Sequence, residues 1–216
     1  TVECARCHTH KYDPISHDEF FSFYSFFNNI DEKGQIPYGV KAPKPNMTIK
    51  KEDTKNDLSF VKLPDSLDNV TLMVMKESDR LRKTYVLNRG RYDSPTNEVT
   101  PDTPEIVLPF DDTKYSKNRL GLSQWFFDPE NPLTSRVVVN RIWQQFFGVG
   151  IVSTPDDFGS QGSKPFNPEL LDWLAYTYQN HDKWDTKKFI KRIVMSSTYR
   201  QSSKINYENQ KIDADN

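Results

Sequence analysis

Residues 131–148 read NPLTSRVVVNRIWQQFFG, and this stretch decides the fold class of the chain. Its apolar side chains recur at the spacing of one helix face, and they are Val137, Val138, Ile142, Trp143, Phe146 and Phe147. Pro132 suits the first turn of a helix, and Gly148 and Gly150 are residues that end one. The stretch therefore predicts an amphipathic helix that packs its apolar face on a core.

Further helices are predicted on both sides of this one. The upstream helix starts at a capping box formed by Ser16 and Glu19 and continues through the aromatic residues 20–27. The others are a segment from Ser116 or Asn118 to Phe126, a helix opened by Pro168, and a final helix capped by Asp185 or Thr186. Core positions are predicted for the four tryptophans and one methionine, namely Trp125, Trp143, Trp173, Trp184 and Met195.

The middle of the chain predicts a small β segment. Residues 58–63, 70–75 and 84–88 are rich in β-branched and aromatic types and are predicted as strands, and residues 95–109 as extended, proline-rich chain. The fold class is therefore mainly α with a small β segment (α+β), with a helical C-terminal domain. The predicted organisation is the end of a motif-bearing domain over 1–30, a loop-rich linker with the β segment over 31–115, and the helical domain over 116–216.

Composition sets limits on the function. The chain has 216 residues, with 29 basic and 30 acidic side chains, 13% aromatic residues and a mean hydropathy of −0.77. The aromatic content predicts a globular protein, and the absence of a basic run argues against nucleic acid as a partner. There is no apolar run long enough for a membrane span. The chain opens without an initiator Met or a leader and ends on a polar stretch, so we expect a fragment truncated at both ends.

The strongest chemical signal is the segment Cys4-Ala5-Arg6-Cys7-His8, which contains both cysteines of the chain. Covalent haem attachment requires two thiols three residues apart and a histidine directly after the second. The segment therefore predicts haem c bound through Cys4 and Cys7, with His8 as the proximal ligand of the haem iron. His17, His181 and the methionines are candidates for the opposite axial position, the latter being Met47, Met73, Met75 and Met195.

Two other chemistries compete for the same residues. Cys4, Cys7, His10 and Asp13 form an alternative ligand cluster for zinc or iron, with His8 in the same pool. A disulfide or redox dithiol between the cysteines is the third interpretation. Three functions are therefore possible predictions: electron transfer, a metal-dependent enzyme acting on polysaccharide-derived substrates, and a non-catalytic scaffold module.

A second polar group lies on the helix predicted over 131–148. Arg136, Asn140 and Arg141 interrupt an otherwise apolar face, and such side chains usually pair with carboxylates or loop carbonyls. Asp156, Asp157 and Asp172 are the candidate carboxylates. The alternative is an anion site, for a haem propionate or a sulfated or carboxylated sugar.

Several long motifs carry a family resemblance. They are CARCHTHKYDPI (residues 4–15), NPLTSR (131–136), VNRIW (139–143), FGVGIV (147–152), PELLDWLA (168–175) and STYRQSS (197–203). The first resembles the end of a domain in large planctomycete cytochrome-c-containing proteins, and the others are similar to the following domain of unknown function. One departure is visible, because Phe166-Asn167 stands where a histidine often precedes the PELLD-type run.

The resemblance implies a large exported protein of planctomycetes and related bacteria, often beside polysaccharide-degrading and sulfatase functions. It implies as partners a cytochrome c domain that precedes Thr1 in the same protein and a redox partner. It also implies a periplasmic, extracellular or cell-surface location.

Overall fold

The helices account for most of the regular structure in the computed structural model, which describes residues 2–30, 47–55, 58, 62–202, 204 and 207–212. They are α1 (His17–Asn28), α2 (Arg119–Phe126), α3 (Thr134–Phe147), α4 (Pro168–Tyr176), α5 (Thr186–Val194) and the short α6 (Tyr207–Ile212). Together with two small antiparallel sheets they confirm the mainly α, small-β class.

Local capping explains where these helices begin. The Ser16 hydroxyl accepts from the Glu19 N–H at 3.1 Å, and the Glu19 carboxylate accepts from the Ser16 N–H at 2.7 Å. This is the predicted capping box of α1. Asn118 and Asp185 cap α2 and α5 as predicted, and α4 begins at Pro168 as predicted, with Asn167 as its cap. Pro132 precedes α3 by two residues, because the Asn131 side chain accepts from the N–H groups of residues 133 and 134.

The two sheets are both two-stranded. Strand β1 (Met47–Lys50) pairs with β2 (Asn69–Leu72), and β3 (Thr84–Leu87) pairs with β4 (Pro95–Val99). The predicted strands at 70–75 and 84–88 are thus present in shortened form, and that at 58–63 falls largely outside the described residues. The start of the stretch predicted as extended, proline-rich chain is extended, and it pairs with β3 as strand β4.

The main core joins α3, α4 and α5. Its buried members are Val139, Ile151, Val152, Leu171, Leu174, Tyr178, Phe189 and Ile193. A second core joins α1 to α2 and is built from Phe26, Tyr115, Leu122 and Trp125. The predicted core position is wrong for Trp173, which is 51% exposed, and for Met195, which is 59% exposed. Trp173 lies on an exposed position of α4, and Met195 follows the last residue of α5 as its C-cap.

A buried carboxylate closes the loop between α2 and α3. Asp128 accepts hydrogen bonds from the Tyr115 hydroxyl and the Lys114 ammonium, and from the Glu130 N–H at 2.8 Å. Burial alone raises the pKa of this carboxyl, but the bonds from Lys114 and Tyr115 leave it below its ordinary value. The ionised side chain therefore contributes to the stability of the second core.

An irregular turn follows α4. The chain continues as a π turn over Thr177–His181 and then places Lys183 and Trp184 in the left-handed region, at φ 51° and 63°. Trp184 packs edge-on against Phe127 and Tyr178, with ring centroids 4.9 Å and 5.2 Å away. These ring contacts fix the entry to α5.

Candidate functional site

A short 3₁₀ helix, Val2–Arg6, presents the cysteine motif. Ala5 is fully buried, whereas Cys4 and Cys7 are exposed and carry free thiols. Cys4 lies inside this helix and Cys7 follows directly after it, and both cysteines are exposed. The two thiols are therefore open to a reaction partner on the solvent side.

His8 has a defined tautomer. Its Nδ1 lies 2.7 Å from the carbonyl oxygen of Thr9, and a carbonyl can only accept, so Nδ1 carries the hydrogen. The lone pair is then on Nε2. A histidine that ligates a metal through Nε2 usually donates its other N–H to a carbonyl in this way.

His10 has a different role. Its Nδ1 accepts from the N–H of Asp13 at 2.8 Å and of Tyr12 at 3.3 Å, so this nitrogen is unprotonated. The 3.5 Å separation between Nδ1 and the Asp13 carboxylate is for that reason not an ion pair. His10 organises the tight turn over residues 10–13 that follows the motif.

Asp13 ties this turn to the C-terminal helices. Its Oδ1 accepts from the Ser160 N–H at 2.6 Å, and the side chain is 8% exposed. A Cβ at Gly159 would lie 2.4 Å from Oδ2, so only glycine allows this approach. The Ser160 N–H holds the pKa of Asp13 below its ordinary value. We call this contact of Asp13 with Gly159 and Ser160 the Asp13 latch.

The candidate axial histidines have other contacts. The Nε2–H of His17 donates to the Arg6 carbonyl at 2.9 Å, which fixes α1 to the motif helix. His181 is exposed and packs its ring edge-on against Tyr176 at 5.7 Å. The candidate methionines are all exposed, between 38% and 60%. The opposite axial ligand stays a prediction.

The described residues contain no group of three or more His, Cys, Asp or Glu side chains that could hold a metal ion. In the alternative cluster, Cys4 and Cys7 face solvent while the side chains of His10 and Asp13 are each 8% exposed. The Nδ1 of His10 accepts within the turn, and the Oδ1 of Asp13 accepts within the latch.

Sequence reasoning missed Gly90, which adjoins the motif. It lies in the turn between β3 and β4, where Arg89 has φ 52° and Gly90 has φ 71°. A Cβ at position 90 would lie 3.2 Å from the Cys7 Sγ and 3.4 Å from the Arg6 carbonyl oxygen. No periodicity or spacing signals that residue 90 meets residue 7, or that residues 159 and 160 meet residue 13.

The polar group on α3 has partners within the chain. The Nε of Arg136 donates to Asp172 at 2.7 Å, and Arg141 donates to Asp156 at 3.0 Å. The fully buried Asn140 donates to the Val152 carbonyl at 3.0 Å and accepts from the Val152 N–H at 2.8 Å. These contacts account for the three side chains without an anion.

Comparison with known proteins identifies two segments. Residues 118–216 match the family model described as PSD1, a protein of unknown function (DUF1553). Residues 1–32 match the model described as PSCyt2, a protein of unknown function (DUF1549). Both families are named for planctomycete cytochrome-c-containing proteins, which supports the resemblance at the level of these domains. No curated protein and no solved structure matches the chain.

Across the described residues, no helix is both long and apolar enough to span a bilayer.

Proposed function

We propose that this chain is part of an exported c-type-cytochrome-like protein, with haem bound covalently at Cys4 and Cys7 and ligated by His8. The observation that carries the proposal is the state of the motif side chains. Both thiols are free and exposed, and the His8 Nδ1–H bond to Thr9 leaves Nε2 as the nitrogen with the lone pair. These are the groups that covalent haem attachment requires.

Attachment uses the two thiols and no further reactant. Each S–H adds across one haem vinyl group: a C–S bond forms, the vinyl π bond breaks, and the thiol hydrogen moves to the neighbouring vinyl carbon. When bound, the haem supplies reversible one-electron redox chemistry, and electron transfer is the proposed activity.

The other residues of the segment act as positioning residues. His17 holds the motif helix against α1 through the Arg6 carbonyl, and His10 shapes the turn after His8. The Asp13 latch anchors the end of that turn to the loop before α4. This assigns His10 and Asp13 to support of the haem site rather than to a zinc or iron centre.

Location and partners rest on the family resemblance. We place the protein in the periplasm or at the cell surface. It exchanges electrons with a cytochrome c domain of the same protein and with a redox partner.

The test is maturation of the full-length protein in cells that carry a haem-attachment system. We expect a Soret band that survives acid–acetone extraction, and a mass increase of one haem on the peptide containing residues 4–8. Cys4→Ala combined with Cys7→Ala should abolish both signals, whereas Leu120→Gln, at an exposed site on α2, should retain them.

His8→Ala should strongly lower covalent haem attachment, because attachment requires the histidine after the second cysteine, and any haem that does attach should show changed axial ligation in the absorption and resonance Raman spectra. Absence of covalent haem from the wild-type protein would overturn the proposal. Stoichiometric zinc or iron without porphyrin would then support the metal-site alternative.

A further inference from the structure

We infer that Gly90 is the clearance residue for the group bonded to Cys7, so that the turn between β3 and β4 forms one wall of the haem site. The inference rests on the proposed haem attachment. Gly90 lies in residues 33–117, between the two segments that match family models. It adds a distant residue to a haem site whose motif and positioning residues above come mainly from residues 2–17.

The geometry leaves little space on this side of the sulfur. The hypothetical Cβ at position 90 would be 3.2 Å from the Cys7 Sγ, which is tighter than ordinary van der Waals contact. The sulfur of a thioether carries one more carbon than a thiol, and that carbon has a porphyrin ring behind it. Any side chain at position 90 therefore competes with the attached group for the space around Cys7.

Hydrogen bonds hold the turn between β3 and β4 in place. The Asn88 N–H donates to the Ser94 carbonyl at 2.9 Å, and the Arg91 and Ser94 N–H groups each close a further turn at 3.1 Å. The Arg91 guanidinium holds the Asp93 carboxylate through two bonds, at 2.9 Å and 3.1 Å. These bonds hold Arg89 and Gly90 in the left-handed region, where Gly90 backbone faces the sulfur.

The chain offers a matched control for backbone strain. Gly148, which ends α3, has φ 83°, and a Cβ there would meet no heavy atom within 4 Å. A substitution at either glycine places a side chain at positive φ, but only the one at Gly90 also approaches Cys7. Asn tolerates the left-handed region better than other side chains, so Gly→Asn tests bulk with the least strain.

The experiment compares Gly90→Ala and Gly90→Asn with Gly148→Ala and Gly148→Asn, all in the full-length protein with both cysteines in place. Mass spectrometry of the haem peptide measures the fraction of the protein in which Cys7 is bonded to haem. We expect Gly90→Asn to lower that fraction by roughly fivefold or more, Gly90→Ala to lower it less, and the Gly148 variants to retain it.

The two hypotheses fail in different ways. If Cys7 of the parent protein takes up haem and Gly90→Asn does so equally well, the clearance role is overturned while haem attachment stands. If even the wild-type protein takes up no haem, the proposed function fails. Iodoacetamide alkylation of the unmodified protein then tests the wall alone: slower alkylation of Cys7 in Gly90→Asn, with Cys4 unchanged, supports it, and equal rates overturn it.

Discussion

At the scale of single residues, neighbouring polar side chains of one motif have different tasks. His8 and His10 are two positions apart, yet one keeps Nε2 available through a bond to Thr9 and the other accepts backbone N–H groups through Nδ1. Residue types and spacing predicted the pool of candidate ligands. They could not predict which histidine keeps a nitrogen available for a ligand, because that depends on the backbone groups that each ring contacts.

The Asp13 latch predicts a measurable contribution to stability. Asp13→Asn removes the charge that strengthens the bond from the Ser160 N–H, so we expect a loss of about 1–3 kcal/mol at neutral pH, measured by urea unfolding. Asp172→Asn removes a more exposed partner of Arg136 and should cost less than about 1 kcal/mol. Equal losses in the two variants would argue against the latch.

Asn140 is expected to be a larger single contributor. Asn140→Ala deletes both hydrogen bonds to Val152 and leaves a buried N–H and a buried carbonyl without partners, at a cost of about 3 kcal/mol. The control is Asn180→Ala, which removes one exposed bond to the Tyr176 carbonyl and should cost less than about 1 kcal/mol. A chemical unfolding midpoint that shifts equally in both variants would contradict the burial argument.

At the scale of elements, the sequence predicts features that depend on neighbouring residues, such as helix caps. It does not predict features that depend on distant partners, such as strand pairing. The caps at Ser16, Asn118 and Asp185, and the start of α4 at Pro168, depend on residues within three positions of each other, so the sequence alone predicts them. Strands β1 and β4 form by pairing with other segments, β2 later in the chain and β3 earlier, and the sequence analysis predicted neither as a strand. The π turn after α4 was missed for the same reason, since ring contacts to Trp184 hold it.

Glycine substitutions at Lys183, which follows the π turn, and at Lys191, in α5, should change the stability of the protein in opposite directions. Lys183→Gly relieves a left-handed conformation and should stabilise the protein by about 1 kcal/mol. Lys191→Gly places glycine inside α5 and should destabilise it by about 1 kcal/mol. Thermal unfolding of both variants under one buffer condition is sufficient. A destabilised Lys183→Gly would show that φ at this position costs nothing.

At the scale of the whole molecule, three carboxyl groups connect distant segments: Asp13, Glu19 and Asp128. Asp13 joins the motif turn to the loop before α4, Glu19 accepts from the Glu105 N–H at 3.0 Å, and Asp128 joins residues 114–115 to the loop before α3. All three have a lowered pKa: that of Asp13 first through the Ser160 N–H, those of Glu19 and Asp128 through hydrogen bonds that outweigh burial. The fold therefore depends on their ionised forms.

This predicts the direction of the pH dependence. A pKa that is lower in the folded state means that protonation favours unfolding, so the contribution is complete above the ordinary values of 3.8 and 4.5 and is lost as pH falls below them. Glu19→Gln keeps the capping box but cannot ionise, and should flatten the loss of stability measured by circular dichroism between about pH 5 and 3. Glu169→Gln, at an exposed site, should keep the wild-type slope.

The Asp13 latch also sets an order of events during synthesis. Asp13 and Ser160 are 147 positions apart, so the latch cannot close until most of the chain has left the ribosome. At about 5–20 residues per second, the cysteine motif waits roughly 7–30 s for its anchor. During that interval the two thiols lie on a segment that still lacks its long-range support. A maturation enzyme that acts before the latch closes would therefore bind a segment that is not yet anchored. One that acts after the latch closes would bind the segment with the turn between β3 and β4 already packed beside Cys7.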